Sequence, residues 1–159
     1  MPDVKVTQLN TPEEITDFNA LFSEYTHRID TLAESPTTDI PSNLVEEIRR
    51  RADVVVFLAY KKDKPAGFAV AIEGFSTFRA LPVLNIHDLG VSAGSQKQGV
   101  GTALLQAIGE EAKKRGCCKL SLEVYEHNAD AFNLYQAKGF STLTGNDGSE
   151  RTLFMVKQV

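Results

Sequence analysis

The sequence predicts an α/β (α+β) fold: a mixed, mostly antiparallel central sheet of about seven strands, flanked by helices on both faces. Three observations carry this. The elements run strand, two helices, three strands, helix, strand, helix, two strands, which departs from the regular alternation of a wholly parallel sheet. Short polar connections at Lys61–Pro65 and Gly145–Gly148 mark hairpins. The segment Val83–Val91 is apolar on both of its faces, as a central strand must be.

Taken in order, Val4–Leu9 alternates like a half-buried strand. Thr11-Pro12-Glu13-Glu14 opens a helix, with a hydroxyl at the cap, proline in the first turn and glutamate at the third position. Ile15, Phe18, Phe22, Tyr25, Ile29 and Leu32 follow at three- and four-residue steps, an apolar stripe against a core. The polar stretch Glu34–Ile40, with Pro36, ends it, and Pro41-Ser42-Asn43 starts a short helix through Leu44, Val45 and Ile48. Val54–Tyr60 and Ala66–Ile72 form the first hairpin, and Val83–Val91 is the central strand. A helix spans about Val100–Arg115, with Leu104, Ile108 and Ala112 on one face and Gly116 as its stop. Lys119–Tyr125 is the next strand. Asn128 caps a helix through Phe132, Leu134, Tyr135 and Lys138, closed by Gly139-Phe140. Phe140–Leu143 and Thr152–Lys157 make the last hairpin. With 159 residues and no repeat or linker, one domain over 1–159 is expected.

Composition narrows the function classes. A net charge of −4 argues against nucleic acid as a partner. No apolar run is long enough to cross a bilayer, and Met1-Pro2-Asp3-Val4 does not begin a basic-then-apolar leader, so a cytoplasmic location away from membranes is expected. Charge is uneven: residues 1–60 carry five basic and eleven acidic side chains, and residues 61–159 carry twelve and ten. That asymmetry suits a cationic acceptor beside an anionic cofactor, or equally a solvated helix face bearing Glu13, Glu14, Asp17 and Glu24. Cys117 and Cys118 are adjacent, which disfavours a mutual bridge, and two ligands are too few for a structural zinc site. They read as packing residues, and no metal is expected.

Chemistry concentrates in Gln96-Lys97-Gln98-Gly99-Val100-Gly101-Thr102, between the central strand and a helix. A helix start presents unpaired backbone N–H groups and the positive end of the macrodipole, and glycines let an anion approach those amides. Thr102, Lys97 and Gln96 add donors. No Walker Gly-Lys-Ser/Thr is present, and the third glycine of a dinucleotide fingerprint is replaced by Leu104. Taken alone, the loop is an anion site at a helix start or a plain strand-to-helix turn.

Gln96-x-x-Gly99-x-Gly101, after a strand ending Asp88-Leu89-Gly90-Val91, resembles the Arg/Gln-x-x-Gly-x-Gly/Ala signature of the GNAT superfamily of N-acetyltransferases. Downstream, Asn128-x-x-Ala131-x-x-x-Tyr135 with Gly139-Phe140 resembles that family's second hallmark, and the likeness covers residues 54–140. Gly74–Arg79 with Ile86–Leu89 is similar to the branch containing diamine and thialysine acetyltransferases, a lean toward small amines. The resemblance implies acetyl-CoA as co-substrate, a splay between strands 83–91 and 119–125 that admits pantetheine, and a homodimer. Leu89, Gly90 and Val91 would face the pantetheine and acetyl carbonyl, and Gln96 through Thr102 the diphosphate. Asn128, Ala131 and Tyr135 would meet the arm and thioester. The family's first motif position often carries arginine, so Gln96 leaves more of the binding to amides and Lys97.

Acetyl transfer needs a neutral amine, donors for the oxyanion and a proton for the departing thiolate. Tyr135 is the candidate acid, although its spacing also fits a packing aromatic. His87 and Asp88 are candidate proton acceptors. His87 also reads as a hydrogen-bonded strand-end histidine, and Asp88 as a residue that orients a loop or binds a cation. Asn128 serves equally as an N-cap. The expected reaction is direct attack by a primary amine, of a small molecule, in a ternary complex. A protein or peptide amine and a non-catalytic acyl-CoA-binding module are the alternatives.

Overall fold

The structure is a computed structural model describing residues 3–29, 40–125, 127–143 and 157. The chain forms two compact units, Met1–Glu123 and Val124–Val159. In the first, β1 (Val4–Gln8), β2 (Val54–Lys61), β3 (Lys64–Ser76), β4 (Leu81–Val91) and β5 (Leu120–Leu122) form one sheet in chain order. β1 to β4 pair antiparallel and β5 joins β4 in parallel. The sheet is therefore mixed and mostly antiparallel, as expected, with five strands among the described residues. Of the two further strands expected, Phe140–Leu143 is irregular, and all of Thr152–Lys157 but Lys157, itself irregular, lies outside the described residues.

Helix α1 (Pro12–Ile29) and the short α2 (Leu44–Arg49) cover one face of the sheet. The α1 start is a capping box. Thr11 Oγ1 accepts from the Glu14 N–H (3.2 Å), and Glu14 Oε2 accepts from the backbone N–H groups of Thr11 (2.9 Å) and Asn10 (2.8 Å). Its stripe buries Phe18 and Leu21 against Val56, Leu58, Phe68 and Val70, residues of one parity on paired strands. Helix α3 (Val100–Lys114) covers the opposite face with Leu104, Ile108 and Ala112. Both faces of β2 and β3 are thus buried, which explains their near-continuous apolar runs.

Two connections differ from their expected bounds. β2 and β3 are joined by Lys62 and Asp63 alone, both left-handed (φ 49° and 58°), a two-residue turn without the usual glycine or asparagine. β3 and β4 run past the expected ends to a tip at Thr77–Ala80, and β5 is shorter than Lys119–Tyr125. In the second unit, α4 (Ala129–Ala137) carries Tyr135. Among the described residues no helix is long and apolar enough to cross a membrane.

Candidate functional site

Close backbone approach sets the α3 start against the end of β4. A Cβ on Gly67 of β3 would stand 2.8 Å from the Gly90 carbonyl and 2.9 Å from Val100 Cγ1, so only glycine lets the first turn of α3 sit this low on the sheet. Gly90 is equally confined on the other face, where a Cβ would meet Phe68 Cε1 at 2.6 Å and Tyr25 Cδ2 at 3.0 Å. Gly90 therefore serves packing, and the groups available beside it belong to Leu89 and Val91.

The loop beyond β4 runs through a 3₁₀ turn (Ala93–Ser95) into Gln96–Gly99. Gly99 caps α3 in the left-handed region (φ 85°), and Ala103 is bonded to its carbonyl (3.0 Å) as the first closed turn. The N–H groups of Val100, Gly101 and Thr102 precede that turn, so the helix ladder leaves them unpaired. No side chain caps the helix, and a Cβ at Gly99 would meet nothing within 4 Å, so this end has open room for an anion. Lys97 is exposed with φ 56°, and Gln96 is exposed beside it.

Two contacts hold the loop that the sequence did not reveal. The Lys61 ammonium at the end of β2 donates to Gln98 Oε1 (2.8 Å) and to its carbonyl (3.4 Å), while Gln98 Nε2 donates to the Gly94 carbonyl (2.9 Å). Gln98 thus acts as a brace, and Lys61 brings a cation next to the loop that lacks arginine at position 96. Glu24 of α1 accepts from the Ala93 N–H (2.8 Å).

β4 changes phase at His87. Val70 pairs with Asp88 and Ala71 with Ile86, leaving His87 as a bulged residue without an opposite number. The Ser92 N–H donates to the Ala66 carbonyl (2.9 Å), so alternation points the backbone of Gly90 and Asp88 at β3 and that of Leu89 and Val91 at the other edge. On that edge the parallel ladder with β5 ends at Ile86↔Leu122. Among the described residues, the Leu89 and Val91 N–H groups therefore face an unladdered edge, while the Val91 carbonyl already accepts Arg28 Nη2 (2.8 Å). Of the groups assigned to a pantetheine arm, that carbonyl is engaged within the protein.

The bulge also turns two consecutive side chains to one face. Simple alternation would put His87 and Asp88 on opposite sides. Instead Asp88 receives the Tyr25 hydroxyl of α1 (3.2 Å), and His87 lines an open cleft of about 630 Å³ together with Ile72, Gly74 and Asn85. Burial pushes the Asp88 carboxyl above its ordinary value, against the opposing pull of His87 and the Tyr25 hydroxyl. A carboxylate shifted upward is a stronger proton acceptor near neutrality than a free one. His87 is exposed. Tyr25 is held by edge-on contact with Phe68 (centroids 5.3 Å apart, 82°).

In the second unit, Asn128 accepts from the Ala131 N–H (3.3 Å) as the cap of α4, so its side-chain oxygen and the Ala131 amide satisfy each other. Tyr135 is buried and edge-on to Phe140 (5.8 Å, 62°), and burial pushes its phenol up, which keeps it protonated. Cys117 and Cys118 are free and half-buried, in the turn after α3.

Several front-half acids are bonded within the protein, some to chain neighbours and some across the fold. Glu14 closes the α1 cap, Asp17 accepts from Tyr60 (2.8 Å), Glu24 holds Ala93, and Glu46 and Glu47 pair with Arg50.

The family model for the acetyltransferase (GNAT) family matches residues 16–140. The chain is 29% identical over 142 residues to the ribosomal protein bS18-alanine N-acetyltransferase of Escherichia coli K12, covering 80% of this chain and 96% of that one. It is 29% identical over 82 residues to thialysine N-epsilon-acetyltransferase of Bos taurus, 52% of this chain and 48% of that one. Its fold matches an aminoglycoside N-acetyltransferase in complex with CoA, with a TM-score of 0.72 at 21% identity over 98% of this chain and 95% of that one.

Proposed function

The chain belongs to the GNAT family of acetyltransferases and is an N-acetyltransferase, and on that premise we propose that it moves the acetyl group of acetyl-CoA to the primary amine of a small molecule by direct attack in a ternary complex. The observation that carries the co-substrate is the α3 start: three amides left over by the helix ladder, a glycine cap at positive φ and open space before it, with Lys61 alongside. These features fit a diphosphate. Gln96, Lys97, Gln98, Gly99, Val100, Gly101 and Thr102 hold it, with Leu89 and Val91 offering their N–H groups to the arm, and the motif residues Asn128 and Ala131 are assigned to the arm as well. Acetyl-CoA supplies the acetyl group as a thioester.

The chain's own groups move the protons. A primary ammonium has a pKa near 10, so the acceptor must lose a proton before its nitrogen can attack. Asp88, raised by burial and next to His87 on the same face, takes that proton directly or through His87. The carbon–nitrogen bond forms and the nitrogen gives up its second proton to solvent, the carbon–sulfur bond breaks, and the Tyr135 hydroxyl gives the departing sulfur a proton that solvent then returns to the phenolate. The whole chain, residues 1–159, works as one acetyltransferase domain, cytoplasmic and homodimeric. A peptide N-terminus is the second reading, favoured by the name of the Escherichia coli relative.

The test is thiol release from acetyl-CoA against amines, amino acids, aminoglycosides and peptides. The reading expects release with a small amine above the hydrolytic background. Release with peptides alone would favour the second reading, and tight acetyl-CoA binding without release on any acceptor would mark a non-catalytic acyl-CoA-binding module.

A further inference from the structure

The cleft beside His87 is lined at one end by apolar groups, Ile72, Val83, Phe75 and Phe78, and along its floor by Asn85 and Ser121. Phe75 and Phe78 are 66% and 100% exposed, large rings presented to solvent at the mouth of a cleft. Asn85 Nδ2 donates to Ser121 Oγ (3.0 Å), which fixes both polar groups across the β4–β5 pair. The ionisable lining is Lys119 and His87, and no carboxylate is among the lining residues described. A polycation such as a polyamine or aminoglycoside needs acidic partners for its second and third charges, and here it would meet Lys119.

We infer, on the acetyltransferase reading above, that this cleft takes an amine acceptor with an apolar body and a carboxylate remote from the reacting nitrogen, the carboxylate being held by Lys119. Position sets the length. The parallel register sets Leu84 opposite Leu120, so Lys119 is level with Val83, four residues and about 13 Å along the strand from His87. An α-carboxylate is too close to its own amine to reach both ends, whereas an ω-amino acid or a short peptide with an exposed side-chain amine spans them. The apolar body lies over Ile72 and Val83 under the two phenylalanines. Charge matching at such a half-open site contributes modestly, about fivefold per pair.

Three acceptors of matched length isolate that charge: ε-aminocaproate, its amide, and hexamethylenediamine. Wild-type protein should rank them in that order in kcat/KM, with about fivefold between the acid and the amide, expressed in KM. Lys119→Glu should reverse the order while leaving acetyl-CoA affinity unchanged. Calorimetric titration of ε-aminocaproate into the CoA-loaded protein reads the cleft without turnover, and Lys119→Glu should weaken it. Equal use of the three, a preference for the diamine, or acid binding indifferent to Lys119→Glu overturns the assignment. Absence of thiol release from any amine, with the Lys119-dependent binding intact, overturns the acetyltransferase reading and leaves the cleft assignment standing.

Discussion

β4 presents backbone to its surroundings at one end and side chains at the other. Past Asp88 the N–H groups of Leu89 and Val91 face an unladdered edge, and the chain then delivers the Val100, Gly101 and Thr102 amides at the start of α3. Before that point the same strand offers Val83, Asn85 and His87 to a cleft. The bulge at His87 separates the two regimes, because it shifts the phase of both the hydrogen-bonding edge and the side-chain faces. Backbone recognition suits a partner that never changes, such as a diphosphate. Side-chain recognition can be rewritten without disturbing the sheet, and it is where an acceptor is chosen.

Breaking each half should therefore leave different traces. The largest effect is expected from Tyr135→Phe, which removes the proton donor: kcat should fall about a hundredfold or more while the acetyl-CoA Kd stays within about twofold. Parallel loss of both would make Tyr135 a packing residue. Gly99→Val forces a β-branched residue to φ 85°, at a cost of about 1–2 kcal/mol, and fills the open space before α3. The acetyl-CoA Kd should rise about tenfold by titration, with kcat at saturation little changed.

Asp88→Asn tests the side-chain half through pH. Burial raises the folded-state value of Asp88 above its unfolded one, so folding favours the protonated form. The stabilisation is complete below the ordinary carboxylate value and is lost as pH rises through the raised one, leaving the ionised group unfavourable at neutral pH. Melting temperatures should therefore be higher for Asp88→Asn at neutral pH and converge with wild type in acid, while kcat drops about tenfold and its acidic limb disappears. Lower stability at neutral pH would contradict the assignment. The smallest effect belongs to Lys61→Gln, about a threefold weakening of acetyl-CoA binding at low salt that fades at high salt.

The same division governs what could be read from the chain. The α1 capping box, the core stripe of Phe18 and Phe22, and the glycine cap of α3 are encoded by neighbours in sequence, and they stand where the residues put them. The bulge is invisible in Asn85-Ile86-His87-Asp88, because no glycine or proline marks it and it exists only through pairing with β3. The role of Lys61 is illegible for a like reason: its partner Gln98 is reached across the fold. The turn at Lys62-Asp63 adopts positive φ without the residues that usually announce it. Acidic residues in the front half left a cationic acceptor or a solvated helix face open; Glu14 caps α1, Asp17 accepts from Tyr60 across the fold and Glu47 pairs with Arg50, and charge counts do not carry that information.

The central claim is that backbone amides at the start of α3 hold acetyl-CoA. Nitrogen–proton correlation spectra recorded during titration with CoA test it most directly. The account predicts that the amides of Gly99, Val100, Gly101 and Thr102 shift most, with Leu89 and Val91 next, and that Gly99→Val suppresses these changes at the same ligand concentration. Saturating CoA that leaves those amides in place and moves others instead would contradict it.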